Sequence, residues 1–479
     1  MDEKEKLTQA LQAKKENFEE WYPEVIQKAE LIEYTKVSGC IIFRPNVYAI
    51  WENIMNYFNK KIKAYGVKNA YFPLFIPESL LRKEAEHVEG FTPEVAWVTQ
   101  AGDTKLDERL AIRPTSETIM YDAFSKWINS WRDLPLKINQ WANIVRWEFK
   151  HPKPFLRSRE FLWQEGHTAF ATKEEADADV RYALDLYKDV FENLLAIPVT
   201  QGVKTEKEKF AGADYTTTVE IMMPDGKVIQ GGTSHSLGRH FSMPFNIKFL
   251  DKDGESKYVW QNSWGISTRS LGILISVHGD DKGLIIPPNV APTQIVIVPI
   301  YTNENKEKVL GETKKLSDIL SKKFSVYLDD RDGYTPGWKF NEWELKGVPL
   351  RIEIGPKDIE KKSVVFVRRD TGEKLSVEMK DIVKYAKNTL KAIQKNLFER
   401  AKKMTDEHTK HAKTFEELKK YVENNRVLVP WCGEEACENK VKEETGAKAS
   451  CIPFKVKAEG NCFSCGKPAK HMVYFARSY

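Results

Sequence analysis

Hydrophobic and charged positions divide the chain into segments of different texture. Leu7, Leu11, Phe18, Trp21 and Tyr22 recur at near-helical spacing among charges. That spacing predicts an amphipathic helix ending near Pro23 and packed on the domain that follows. From about residue 30 to about 290, short apolar runs such as AYFPLFI and KINQWANIVRWEF alternate with longer helical patterns, one of them from Ala171 to Leu195. This is the texture of one mixed α+β unit. Paired prolines without helical period, Pro287, Pro288 and Pro292, mark a boundary. Beyond it, Gln294 to Ile300 (QIVIVPI) reads as a strand and Asn305 to Phe324 as a basic amphipathic helix; VYLDD, LRIEIG and VVFVRR read as further strands with a helix between. The alternation predicts a small α/β domain around a largely parallel sheet. A long charged helix, Ser376 to His411, then leads into a cysteine-rich tail. The expected domains are 1–290, 291–398 and 399–479, the last a small α/β unit.

Composition narrows the class. The 479 residues exceed one ordinary core, and 41% hydrophobic with 30% charged residues excludes fibrous, disordered and membrane classes. The N-terminal stretch MDEKEKLTQALQAKKENFEEW is charged where a signal peptide needs an apolar run, so a cytoplasmic location is expected, with no membrane association. The net charge of +5 permits a polyanionic partner without requiring one. Five of the six cysteines lie in the tail: Cys432, Cys437, Cys451, Cys462 and Cys465. In a cytosolic chain such crowding favours a metal over disulfides, and Cys432-x4-Cys437 with Cys462-x2-Cys465 supplies two sulfur pairs able to close a tetrahedral Zn²⁺ site. Cys40 is expected in the core.

Three segments carry candidate chemistry. Val145 to Phe161 reads VRWEF, the loop KHPKPFLRSR, then EF. An arginine leaving a strand can hold a phosphate or carboxylate bidentately, and Lys150, His151, Lys153, Arg157 and Arg159 can hold a triphosphate tail. GISTRSLG, Gly265 to Gly272, sets one arginine among small residues before an apolar stretch, where a guanidinium can stack on a purine and donate to a phosphate. GVKNAYFPLFI, Gly66 to Ile76, reads as turn, strand and proline. Taken singly, each has an ordinary structural explanation.

In this order the three resemble motifs 2, 3 and 1 of the class II aminoacyl-tRNA synthetases, motif 1 coming first along the chain. RPTSE (Arg113 to Glu117), FLWQEGHTA (Phe161 to Ala169), EKFAGA (Glu208 to Ala213), GGTSH (Gly231 to His235) and HGDDKGL (His278 to Leu284) narrow the resemblance to the prolyl-tRNA synthetases of archaeal and eukaryotic type, from about residue 20 to the last. The resemblance implies a catalytic domain with an antiparallel sheet and helices, an α/β anticodon-binding domain and a C-terminal zinc-binding domain. It implies ATP with Mg²⁺, L-proline and tRNA(Pro) as substrates, and a homodimer with the strand around Pro73 near the interface.

Carried over position by position, Arg146 meets the α-phosphate and the amino-acid carboxylate, and Phe161 and Arg269 sandwich adenine. Glu148 lies near the adenine edge, Arg157 toward the γ-phosphate, and Gln230, Thr233 and Thr268 at further ATP contacts. Thr115 and Glu117 receive the proline imino group; a secondary ammonium offers two N–H donors, which a hydroxyl and a carboxylate satisfy. Trp163, Glu165, His167, Phe210 and His235 form the proline pocket, and Glu220 is a candidate for Mg²⁺. Lys339, Glu342, Lys346 and Arg351 are anticodon candidates. Cys432, Cys437, Cys462 and Cys465 are the zinc ligands, with Cys451 outside the set, and Tyr479 is buried with its carboxylate near the catalytic domain. Between Phe161 and Gly265 the chain is taken up by pocket motifs and a helix, so no editing insertion is expected. The alternatives are another synthetase of the subclass, for threonine, serine, histidine or glycine, and a paralogue without catalysis. Arg146, Arg269, Thr115 and Glu117 all being in place weigh against the second.

Overall fold

The first helix runs Phe18–Lys28 and passes through Pro23 instead of ending there. Proline removes one helical hydrogen bond, but Trp21, Tyr22, Val25 and Ile26 are all fully buried, and that burial outweighs the loss. These contacts come from a computed structural model that describes residues 11–85, 94–148 and 151–479; Leu7 and Lys150 lie outside them. Asn17 caps the helix by accepting from the Glu20 amide, and Leu11 packs against the same core.

The next long helix, Pro45–Ala64, has proline at its first position, where the missing N–H has no helical partner to lose. The helix Lys173–Asp189 starts in a capping box between Thr172 and Glu175 and continues into a π turn, Val190–Leu194, which together match the expected 171–195 pattern. Both helices cover one face of a sheet.

That sheet has eleven strands in the order Thr409–His411, Arg426–Trp431, His471–Ala476, Lys448–Pro453, Thr200–Val203, Tyr215–Met222, Val228–Gly238, Trp260–Ser267, Glu160–Phe170, Leu136–Val145 and Lys68–Asn69. Every pairing is antiparallel except the outermost one at each end. Its continuity was not expected. The C-terminal unit adds its strand Lys448–Pro453 to the edge of the catalytic sheet, Ile452 opposite Val203 and Pro453 opposite Gly202. A Cβ at Gly202 would stand 2.5 Å from the Ile452 carbonyl, so glycine is what permits the seam. The stretch from Phe161 to Gly265 is spent on four strands of this sheet, part of a fifth, the covering helix, the small hairpin Lys248–Leu250 with Ser256–Tyr258 and the loops between them, which leaves no inserted domain.

Residues 294–378 form a second sheet, in the order Val326–Leu328, Ile295–Pro299, Leu350–Ile354, Ser363–Arg368 and Lys374–Glu378. Its first two pairings are parallel and its last two antiparallel, so the expectation of a largely parallel sheet is corrected to a mixed one. Lys374–Glu378 occupies the start of the expected long helix, which instead spans Ile382–Glu407. The unit is tied to the catalytic domain by backbone bonds from Leu284 to Leu345 (2.9 Å) and from Ile286 to Gly347 (3.1 Å). Arg369 adds a two-pronged pair with Asp280 (2.9 and 2.6 Å), and Lys346 reaches Glu30 at 3.1 Å.

Cys40 is half-buried in the turn between Ile32–Tyr34 and Ile41–Phe43, not in the core. Tyr479 is half-buried. Its hydroxyl donates to Asp225 (2.8 Å) and its ring lies within 5.4 Å of the Lys153 and 5.0 Å of the Lys227 ammonium groups. Its backbone N–H also donates to the Val228 carbonyl (3.4 Å), so the last residue is held against the catalytic domain.

Candidate active site

The central strands converge on a cavity of about 300 Å³. Thr115, Glu117, Arg146, Phe161, Trp163, Glu165, His167, Phe210, Gln230, Thr233, His235 and Arg269 all line it. Residues far apart in sequence are thus brought together as the motifs required.

Each arrives by a short structural route. Arg113 is almost fully buried and gives its guanidinium to the Asn143 carbonyl (2.9 Å), the Phe72 carbonyl (2.7 Å) and the Asn143 amide oxygen (2.8 Å). This anchors the turn that carries Thr115 and Ser116 into the helix Glu117–Trp127, where Glu117 occupies the first position, favourable for a carboxylate. Thr115 donates its hydroxyl to Glu117. Arg146 follows the strand Leu136–Val145; its Nε is held by the Pro114 carbonyl (2.9 Å) and its guanidinium lies 5.5 Å from the Trp163 ring and 5.8 Å from the Phe161 ring.

Arg269 opens the helix Arg269–His278, braced by the Leu156 and Gln230 carbonyls at 3.3 Å each. Burial, then the like charge of Arg146, lowers its pKa to about 10, and it stays cationic at neutral pH. Two guanidinium groups in one cavity form a site for anionic charge.

The floor is a buried polar network. Glu165 accepts from Ser116 and from Gln140 (2.8 Å) and lies 3.2 Å from His167 Nε2, while the Tyr121 hydroxyl lies 3.0 Å from His167 Nδ1. Burial pushes the Glu165 carboxyl up, but its hydrogen bonds and the His167 charge outweigh this and leave it below the ordinary value. Burial likewise pushes His167 down, and Glu165 and Glu117 leave it raised. His235 differs. Thr216 (2.9 Å) and Thr233 (3.0 Å) face its two nitrogens, and burial brings its pKa down to about 3, so it presents a neutral ring 4.7 Å from that of Phe210. Trp163 Nε1 and Ser263 Oγ are buried on the wall with no hydrogen-bond partner among the described residues. Trp264 reaches the wall because it lies opposite Gly166, where a Cβ would stand 2.3 Å from the indole.

Four assigned residues do not line this cavity. Glu148 and Arg157 are exposed, although Arg157 is close enough to depress the Arg269 pKa. Thr268 is buried behind Arg269. Glu220 is buried with its oxygens already bonded to Lys204 (2.7 Å), Thr218 (2.7 Å) and Ser450 (3.2 Å). Glu220 thus forms an internal ion pair with Lys204. Sequence reasoning missed Ser116 and Lys209, which lay inside quoted motifs, and Gln140, which nothing marked among its strand neighbours.

The anticodon candidates are also engaged. Lys339 is 2% exposed and bonds the Asp329 carbonyl (2.9 Å); Glu342 is 5% exposed and accepts from Arg331 and from Lys346 (2.7 Å). Burial and these bonds make the two internal struts. Lys346 and Arg351 are half-buried, the latter paired with Glu353 at 2.9 Å.

In the tail, the Sγ atoms of Cys432, Cys437, Cys462 and Cys465 lie within 4.8 Å of one another, with three separations of 3.8, 3.9 and 3.6 Å. Tetrahedral Zn–S bonds of about 2.3 Å place sulfurs about 3.8 Å apart, so the four thiols fit the ion. Cys451 is buried outside the group.

The antiparallel sheet with a cavity of two arginines, aromatic walls and the carboxylates Glu117 and Glu165 defines a class II aminoacyl-tRNA synthetase. The class II core domain shared by the G, H, P, S and T enzymes matches residues 97–278, and the anticodon binding domain matches 294–389. Those two leave the subfamily open. The C-terminal domain of prolyl-tRNA synthetase matches 415–479. The proline–tRNA ligase of Natranaerobius thermophilus is 53% identical over 479 residues, 99% of each chain. That of Alkaliphilus oremlandii is 54% identical over 466 residues, 97% of this chain and 96% of its own, and proline–tRNA ligase 2 of Bacillus cereus is 52% identical over 474, 98% and 99%. The chain belongs to the prolyl-tRNA synthetases.

Proposed function

We propose that this cavity condenses L-proline with ATP, releasing diphosphate, and then transfers the prolyl group to the 3′ end of tRNA(Pro), releasing AMP. The observation that carries this reading is the meeting of Arg146 and Arg269 with the Thr115–Glu117 pair and the aromatic walls in one cavity. The proline carboxylate oxygen attacks the α-phosphorus in line, a P–O bond forms, and the bond to the leaving diphosphate breaks. No protein nucleophile is needed. Arg146 orients the carboxylate and α-phosphate, Arg269 stacks with Phe161 about the adenine, and both offset the charge that develops. Mg²⁺ enters with ATP. Gln230 and Thr233 are further ATP contacts, and Thr115 and Glu117 take the two N–H groups of the secondary ammonium. Trp163, Glu165, His167, Phe210 and His235 shape the ring pocket. In the second step the terminal ribose hydroxyl attacks the carbonyl carbon and AMP departs with its phosphate.

Cys432, Cys437, Cys462 and Cys465 would hold Zn²⁺, which supplies a structural cross-link. Lys346 and Arg351 are the anticodon contacts we favour, since guanine acceptors suit cationic donors. Tyr71 and Phe75, 71% and 45% exposed beside Pro73, support a homodimer through that segment. A cytoplasmic location follows from the substrate, and no helix among the described residues is long and apolar enough to cross a membrane.

ATP–pyrophosphate exchange with proline, alanine, cysteine, threonine and serine tests the reading. Proline should stimulate exchange most, and Arg146→Ala should abolish it. Stimulation by threonine or serine but not proline would overturn the substrate, and an active Arg146→Ala protein would overturn the mechanism.

A further inference from the structure

The loop from Lys204 to Asp214 joins two strands of the catalytic sheet, and its first half places Glu208, Lys209 and Phe210 on the cavity wall. One end is fixed from within the catalytic domain, the Phe210 amide donating to Thr216 Oγ1 at 2.9 Å. The middle is held from outside. Thr205 donates its hydroxyl to Glu438 at 3.0 Å, and the Lys207 ammonium bonds the Asn439 side chain. Both partners sit on the helix Glu435–Thr445 of the C-terminal unit. Glu438 is 3% exposed, and a buried carboxylate requires a donor such as this hydroxyl. The Thr205 carbonyl in turn accepts the Glu208 (3.1 Å) and Lys209 (3.0 Å) amides, so the residue that Glu438 fixes also forms the turn leading to Phe210. The seam below is pinned by Lys204, whose ammonium bonds Glu220 (2.7 Å) and the Ser450 carbonyl (2.8 Å).

We infer that Glu438 and Asn439 are positioning residues for the amino-acid pocket: the C-terminal unit holds the 204–210 loop so that Phe210 and its neighbours close on proline. This rests on the reading of the cavity given above. The ATP side of the cavity, built from Arg146, Phe161, Gln230 and Arg269, has no contact with this helix among those described, so the effect falls on one substrate. A displaced wall loses ring contacts in both ground and transition states, which raises KM without lowering kcat.

The test is ATP–pyrophosphate exchange by the full-length enzyme carrying Glu438→Ala, Asn439→Ala, Thr205→Val or Glu438→Gln, with Phe210→Ala as the reference. Glu438→Ala and Thr205→Val should each raise the proline KM about five- to tenfold, and the double variant no further, because both break one contact. The ATP KM and kcat should stay within twofold, and Glu438→Gln, which still accepts from the hydroxyl, should restore the proline KM. An unchanged proline KM in Glu438→Ala and Thr205→Val, alongside a raised one in Phe210→Ala, would overturn the positioning role alone. An unchanged proline KM in Phe210→Ala would overturn the pocket reading with it. A parallel change in proline KM, ATP KM and kcat would mark a general loosening and also overturn it.

Discussion

Glu165 and His167 lie 3.2 Å apart under the cavity, two residues apart on one strand and both on its inner face, and each shifts the titration of the other. His167 is raised above its ordinary 6.5, so its share of stability is fully present below pH 6.5 and is lost as pH rises through the raised value. His167→Gln should be less stable at pH 6 and should lack the wild-type decline above pH 6.5. Thermal melting between pH 6 and 8.5 checks this; parallel curves for the two proteins would contradict it.

His278 moves the other way. It is buried against the Leu195 carbonyl (2.8 Å), and burial lowers its pKa to about 3. The folded state excludes a proton that the unfolded chain binds, so stability falls as pH drops below 6.5, by about 1.4 kcal/mol per pH unit for such a group. Melting temperatures of wild type and His278→Gln should converge between pH 6.5 and 4.5. A constant gap would contradict the assignment.

The Asp280–Arg369 pair joins the end of the helix that begins with Arg269 to the anticodon unit. Arg369→Ala should lower kcat/KM for tRNA charging about tenfold and leave ATP–pyrophosphate exchange within twofold. Measuring both reactions separates loss of domain alignment from damage to the cavity.

The four clustered thiols predict one zinc per chain. Cys462→Ser should lose the metal by atomic absorption, and the strands Arg426–Trp431 and His471–Ala476 should gain hydrogen exchange. A metal-free wild type with equal protection would contradict a structural ion.

Most of the cavity was legible because its residues sit in short motifs whose chemistry is local: Thr115 and Glu117 are two apart, and Arg146 and Arg269 each stand in a recognisable run. What was not legible depended on long-range partners. Pro23 reads as a helix end until the burial of Trp21 and Tyr22 is known. Lys339 and Glu342 read as anticodon candidates, and nothing local signals that Asp329 and Arg331 draw them inward. The Lys204 partner of Glu220 is likewise unmarked in the sequence. The seam at Gly202 joins residues about 250 apart, and no periodicity encodes such a pairing.

Removing Arg269 should cost exchange activity about 10²–10³-fold, the loss expected when one preorganised donor to developing charge is deleted. Arg269→Lys should recover little, because an ammonium cannot stack on adenine as the planar group does. Single-turnover adenylate formation checks this, and full recovery by lysine would contradict the stacked arrangement.

The most direct test of the central claim is the proline KM of Glu117→Gln in ATP–pyrophosphate exchange. The account predicts a rise of about a hundredfold, with the ATP KM within twofold, because the charge-assisted bond to the secondary ammonium is lost. An unchanged proline KM would contradict it.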